Sequence, residues 1–215
     1  MKPFHTQTLI AAVLLPTLLF SGCKKEDEDE PEEAPASNAS QVSISDAAIV
    51  KMNVNGSTVT LQAGGSISEL FDSDITGGPA PDTSAAVYLA GFENGGDDLF
   101  KLQMGTLEFV GTIPNTTEFQ DFFAPGTRVL AQPLGGIDGV TMQWWNGSDQ
   151  WFGTSCGAGP SGSFEITHIA QQQIGQDFYT KIRAVFSGTF FSCDGLAGDQ
   201  TIGDGVLVLR FKNQP

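Results

Sequence analysis

The chain has 215 residues and a net charge of −15, from 25 acidic residues against 10 basic ones. That balance repels nucleic acid and anionic headgroups, and no basic patch offsets it, so a nucleic-acid partner is excluded. Three cysteines and two histidines, with no Cys-x-x-Cys pair among them, argue against a thiolate or imidazole metal centre.

Lys2 precedes an apolar run over residues 9–20, interrupted by Pro16 and Thr17. About a dozen residues suits a signal-peptide core and falls short of the roughly 20 that span a bilayer. Residues 1–22 therefore read as a signal peptide. The run ends in Phe20-Ser21-Gly22-Cys23, then Lys24-Lys25-Glu26-Asp27-Glu28-Asp29-Glu30. The first four residues resemble the lipobox of bacterial lipoproteins, with Phe20 where those peptides usually carry Leu. The resemblance implies cleavage before Cys23, a diacylglycerol on its sulfur and an acyl chain on its new amino group. Two or more chains are what stable anchoring takes. The lysines and following acids resemble the surface-export signal of Bacteroidota lipoproteins, which implies an outer-membrane protein exposed on the cell surface. Seven acids and two lysines over residues 24–33, with almost no large apolar side chain up to residue 45, make residues 23–45 read as a disordered tether.

Residues 46–215 read as one β-domain. Strands at 49–54 and 57–61 flank Asn55-Gly56, the strongest short hairpin signal. The stretch 64–83 reads as a connection, with a helical turn at 66–71. A strand at 85–92 turns through 94–98 into strands at 99–104 and 107–110, with a bulge at Gly105. A short helix near 116–123 is announced by Asn115 or Thr117 as cap and by Glu118 or Gln120 in the capping-box position. Further strands fall at 127–132, 140–145, 150–154, 162–169, 181–191 and 206–211, with a polar connection at 170–176. The sum is an all-β fold, an antiparallel β-sandwich or barrel of about ten strands with that one short helix.

Gly162-Ser163-Phe164-Glu165-Ile166-Thr167, Ile182-Arg183-Ala184-Val185-Phe186-Ser187-Gly188-Thr189-Phe190 and Asp204-Gly205-Val206-Leu207-Val208-Leu209 resemble the closing strands of C-terminal β-domains in Bacteroidota lipoproteins. That implies a sandwich-like fold on an outer-membrane lipoprotein, and no activity.

With Cys23 lipidated, Cys156 and Cys193 remain as an even pair in an oxidising compartment and read as a disulfide. The hairpin 140–154 carries three tryptophans in the chain's most suggestive pattern. A turn of two or four residues places Met142, Trp144 and Trp151 on the core face. Gln143, Trp145, Gln150 and Phe152 then lie on the other. Trp145 between Gln143 and Gln150 becomes a candidate platform for a sugar ring or a partner's side chain. Asp72-Ser73-Asp74, Asp97-Asp98, Asp194, Asp199 and Asp204 are acidic loop positions that calcium favours, though turn chemistry accounts for them equally. No nucleophile elbow, zinc-protease motif or P-loop is present, and His168 sits mid-strand beside Thr167. The reading is a non-catalytic binding or assembly domain, with a glycan-binding module of a nutrient-uptake system as the alternative and a hydrolase behind both.

Overall fold

In β1 (Ile49–Val54), Val50, Met52 and Val54 are buried while the residues between them are only half-buried. This is the alternation of a strand with one face on a core. Asn55 (φ 48°) and Gly56 (φ 89°) supply the two left-handed residues of a type I′ turn. They fold β2 (Ser57–Gln62) back onto β1 in unbroken register, from Val54 opposite Ser57 to Ile49 opposite Gln62. This computed structural model describes residues 36–131, 139–148, 150–157, 159 and 161–213.

The remaining strands are β3 (Ile67–Thr76), β4 (Thr83–Asn94), β5 (Asp97–Val110), β6 (Gly126–Arg128), β7 (Gly139–Trp145), β8 (Trp151–Gly153), β9 (Gly162–Ile174), β10 (Asp177–Ser192) and β11 (Gln200–Asn213). All pair antiparallel in the order β2-β1-β11-β10-β8-β7-β5-β4-β3, with β9 also on β10 and β6 on β9. The sheet forks at β10. Its residues 177–188 pair with β9, whereas Phe191 and Ser192 pair with β8. The sheet curls into a half-barrel, and side chains bridge β3 to β10 and β11. Arg210 on β11 grips the Glu69 carboxylate on β3 with two N–H donors, Nε at 2.8 Å from Oε2. The ring of Phe71 on β3 meets Tyr179 on β10 edge-on, 5.6 Å between centroids.

The interior is one aromatic-rich cluster that includes Phe92, Phe100, Phe152, Phe164, Phe190 and Phe211. The helix α2 (Thr116–Phe122) adds Phe119 and Phe123 to it. Asn115 caps α2 through its side chain to the N–H groups of Thr117 and Glu118, at 2.9 and 3.0 Å. Glu118 returns a bond to the Asn115 N–H at 2.8 Å, so both halves of the capping box are present. Tyr88 lies against Phe119, Phe122 and Phe123. Its hydroxyl is buried without a hydrogen-bond partner among the described residues, and burial pushes its pKa up.

The all-β expectation holds, as do the Asn55-Gly56 hairpin, the capped helix and a register shift in the β4–β5 pair at Gly105. Four local expectations change. Residues 67–71 of the expected helical turn at 66–71 belong to β3. Ile67, Leu70 and Phe71 fit a helical face, but the ten-residue ladder with β4 outweighs a single turn. The polar stretch 170–176 carries β9 on to Ile174, because Gln171, Gln172 and Gln173 pair with β10 despite their exposure. The strand expected at 127–132 is the three-residue β6.

The fourth change concerns the tether. The compact unit begins at Ala36, ten residues before the expected domain start. Ser37 caps a four-residue helix, α1 (Asn38–Gln41), and Val42 is buried against Val206 and Val208. Arg183 donates from Nε to the Val42 carbonyl at 2.9 Å and from Nη2 to that of Ala39. Asn38 bonds the Asp204 carboxylate through its N–H at 2.6 Å. A segment poor in apolar residues is thus held by charged and polar partners from β10 and β11. Composition does not show those partners.

Candidate functional site

The tryptophan hairpin forms, with different facing from that expected. Trp145 lies opposite Trp151, Trp144 opposite Phe152 and Gln143 opposite Gly153. The connection is therefore residues 146–150. An odd number of loop residues reverses the parity of the returning strand. Phe152 turns into the core, 1% exposed, beside Met142 and Trp144. Trp151 turns out, onto the face of Trp145, where both rings are partly exposed. Directly opposed residues on one face are in side-chain contact range, so the site has two indoles rather than one.

Neighbouring strands fix the rest. Phe100 and Leu102 on β5 lie opposite Trp144 and Met142 in the core, which leaves Lys101 opposite Gln143 on the outer face. Asn94 pairs with Asp97 across Gly95 (φ 64°) and Gly96 (φ 97°), a two-residue turn that only glycines fill this easily. The result is a cleft of about 440 Å³ lined by Gly96, Asp97, Asp98, Trp145 and Trp151. Lys101 pairs with Asp98, and its ammonium lies 5.9 Å from the Trp151 ring centroid. Two indole rings and two carboxylates thus line the cleft, and Lys101 is tied to one of the carboxylates.

Gln143 and Gln150 do not line this cleft. Gln150 latches the loop instead: its carbonyl accepts from Asn146 N–H and its Oε1 from Asn146 Nδ2, both at 3.2 Å. Trp145 is the part of the expected platform that remains. Trp151 was missed through parity. Asp97 and Asp98, singled out only as candidate calcium ligands, are its rim.

The disulfide expected from cysteine count is formed, between Cys156 and Cys193. It sits beside the cleft. β8 has three residues, and the Cys193 N–H donates to the Trp151 carbonyl at 2.9 Å. On the other side Thr154 takes the Met142 N–H on its hydroxyl at 3.0 Å and donates its own N–H to the Met142 carbonyl at 2.9 Å. The bridge therefore staples the strand that presents Trp151.

The other acidic positions are engaged in local structure. Asp72 and Asp74 lie on β3, in a strand and not a loop. Asp194 accepts from the Ser192 hydroxyl at 2.6 Å and the Leu196 N–H at 2.9 Å, and these bonds, the hydroxyl first, hold its carboxyl below the ordinary range. Asp199 accepts from the Ser192 N–H, and Asp204 holds Asn38. Among the described residues no group of three or more His, Cys, Asp or Glu side chains is arranged to hold a metal ion. His168 is exposed, with Nδ1 3.1 Å from the Thr167 hydroxyl. Cys23 and its flanking motif lie outside the described residues. No protein family, curated protein or solved structure matches the chain.

Proposed function

We propose that this is a lipid-anchored outer-membrane protein, exposed on the cell surface, whose β-domain binds a glycan through the Trp145–Trp151 cleft without chemistry. The observation that carries the reading is the pair of partly exposed indoles on one face, in a cleft that two carboxylates also line. An indole packs well on the C–H face of a pyranose ring, and carboxylates accept from its hydroxyls. The cleft volume falls within the range of small-molecule sites. Asp97 and Asp98 are neighbours at the start of β5, not an opposed pair across a scissile bond, which favours binding over hydrolysis. Charge narrows the ligand. The acids outside the signal and the 24–33 run outnumber the bases eighteen to seven, so neutral glycans are favoured over anionic ones.

An array of neutral and acidic oligosaccharides tests the ligand class. Retention of neutral oligosaccharides and rejection of uronic-acid polymers is the expected pattern, and the reverse would refute the charge argument. Anchoring is tested separately by Cys23→Ala. That variant is expected in the soluble fraction with its β-domain folded, and its persistence in the membrane fraction would overturn the lipid anchor.

A further inference from the structure

An ammonium group already sits against two of the residues that line the tryptophan cleft, and it belongs to the protein. Lys101 pairs through Nζ with the Asp98 carboxylate. The same atom stands 5.9 Å from the centroid of the Trp151 ring. A cation within about 6 Å of an indole centroid is drawn to the negative face of the ring. Asp98 and Trp151 both line the cleft, so its chemistry suits an ammonium.

The other carboxylate and the other indole have no such occupant. Asp97 lines the cleft next to Asp98, and among the described residues no lysine or arginine pairs with it. Trp145 is the second indole, and among the described residues no cation stands over its ring. The charge of the whole chain acts in the same direction. With 25 acids against 10 bases, its field raises the local concentration of cations. A metal ion is a poor match. Calcium takes about six to eight oxygen ligands, whereas this cleft offers two carboxylates and two rings. An organic ammonium uses both kinds of group, since it donates to a carboxylate and is attracted to an indole face.

We infer that the preferred ligand of this cleft is a glycan carrying free primary amines, an oligomer of unacetylated amino sugars. The inference rests on the reading of the cleft as a glycan site. Sugar rings pack on Trp145 and Trp151, and one ammonium of the ligand pairs with Asp97. Lys101 keeps Asp98 engaged, and so leaves room for a single ligand amine. A sugar hydroxyl in the same place would also donate to Asp97. A hydrogen bond between two ionised groups is roughly twice as strong as a neutral one, so the amine separates this ligand from a neutral glycan of the same backbone. Neutral glycans still bind through the indoles, more weakly. Acetylation of the amine removes its charge and with it the advantage.

The test titrates the full chain with two ligands, an oligomer of N-acetylglucosamine and the same oligomer with its acetyl groups removed. The deacetylated oligomer is expected to bind about tenfold more tightly at low salt, and the difference is expected to shrink as salt rises. Asp97→Asn is expected to abolish the difference. Lys101→Met frees the Asp98 carboxylate and is expected to widen it. Circular dichroism checks that both variants remain folded, and their opposite signs keep a general loss of structure from imitating the result. Equal binding of the two oligomers, or a preference that survives Asp97→Asn, would overturn the inference and leave the glycan reading standing. Oligolysine that binds as tightly as the deacetylated oligomer would also overturn it, because the cleft would then read charge without a sugar. If neither oligomer binds, the inference falls, and the neutral oligosaccharides of the array decide the glycan reading by themselves.

Discussion

Replacing Cys156 and Cys193 together by serine is expected to lower the stability of the domain by about 4 kcal/mol. The bridge spans a sequence separation of 37, and the figure follows from the loop-closure entropy that an open chain regains in the unfolded state. Against a total of about 5–15 kcal/mol for a natural domain, this is a large fraction. The effect is also local. The bridge joins the chain just after β8 to the chain just after β10, and those strands share only two pairings, Phe191 with Gly153 and Ser192 with Phe152. Without the bridge the three-residue β8 keeps its hairpin partner β7 and loses its staple on the other side. Denaturant titrations of the oxidised protein and the double variant measure the first effect. The shift in tryptophan emission before global unfolding measures the second. A stability loss under about 1 kcal/mol, with unchanged emission, would show that the bridge does not hold the site.

Phe123→Ala is expected to destabilise by a similar amount, about 3–5 kcal/mol. Phe123 is fully buried where α2 ends. Its ring stacks on Phe211 of β11, with centroids 4.5 Å apart and planes at 28°. It also meets Tyr88 at 5.6 Å, Phe119 at 5.1 Å and Phe122 at 4.9 Å. It therefore joins the helix to strands that lie far apart in sheet order. Truncation opens a cavity against the Tyr88 ring and forfeits aromatic contacts that area alone does not count. Chemical denaturation is the measurement. A loss near that of an exposed substitution, within about 0.5 kcal/mol, would mean that the helix is not part of the core.

The legible parts of this protein are those set by local chemistry. Asn55-Gly56 specifies its turn through two residues that tolerate positive φ. Asn115 and Glu118 specify a helix start by satisfying each other's backbone. Cys156 and Cys193 are the pair left once Cys23 is assigned to lipid. What the sequence hides is set by distant partners. Ile67, Leu70 and Phe71 fit a helical turn or a strand, and only the β4 ladder decides between them. Ala39 and Val42 are tied down by Arg183, well over a hundred positions later. The site shows the sharpest version of this problem. Trp145 is readable as an outward residue, but the partner of Trp145 depends on whether the loop has four residues or five. Asn146, Gly147, Ser148, Asp149 and Gln150 all suit a loop. Once Gln150 is drawn into it, through its bonds to Asn146, Trp151 joins Trp145 and Phe152 goes to the core.

The most direct test of the glycan cleft is a calorimetric titration of a neutral oligosaccharide retained on the array. Wild type, Trp145→Ala, Trp151→Ala and Gln150→Ala would be compared. Loss of a central aromatic contact commonly costs 2 kcal/mol or more, so each tryptophan variant is expected to bind about thirtyfold more weakly. Gln150→Ala, which removes the side-chain half of the latch and leaves the Gln150 carbonyl to accept from the Asn146 N–H, is expected to bind far closer to wild type. Undiminished binding in both tryptophan variants would place the ligand elsewhere, and a wild-type protein that binds no neutral oligosaccharide would contradict the glycan reading itself.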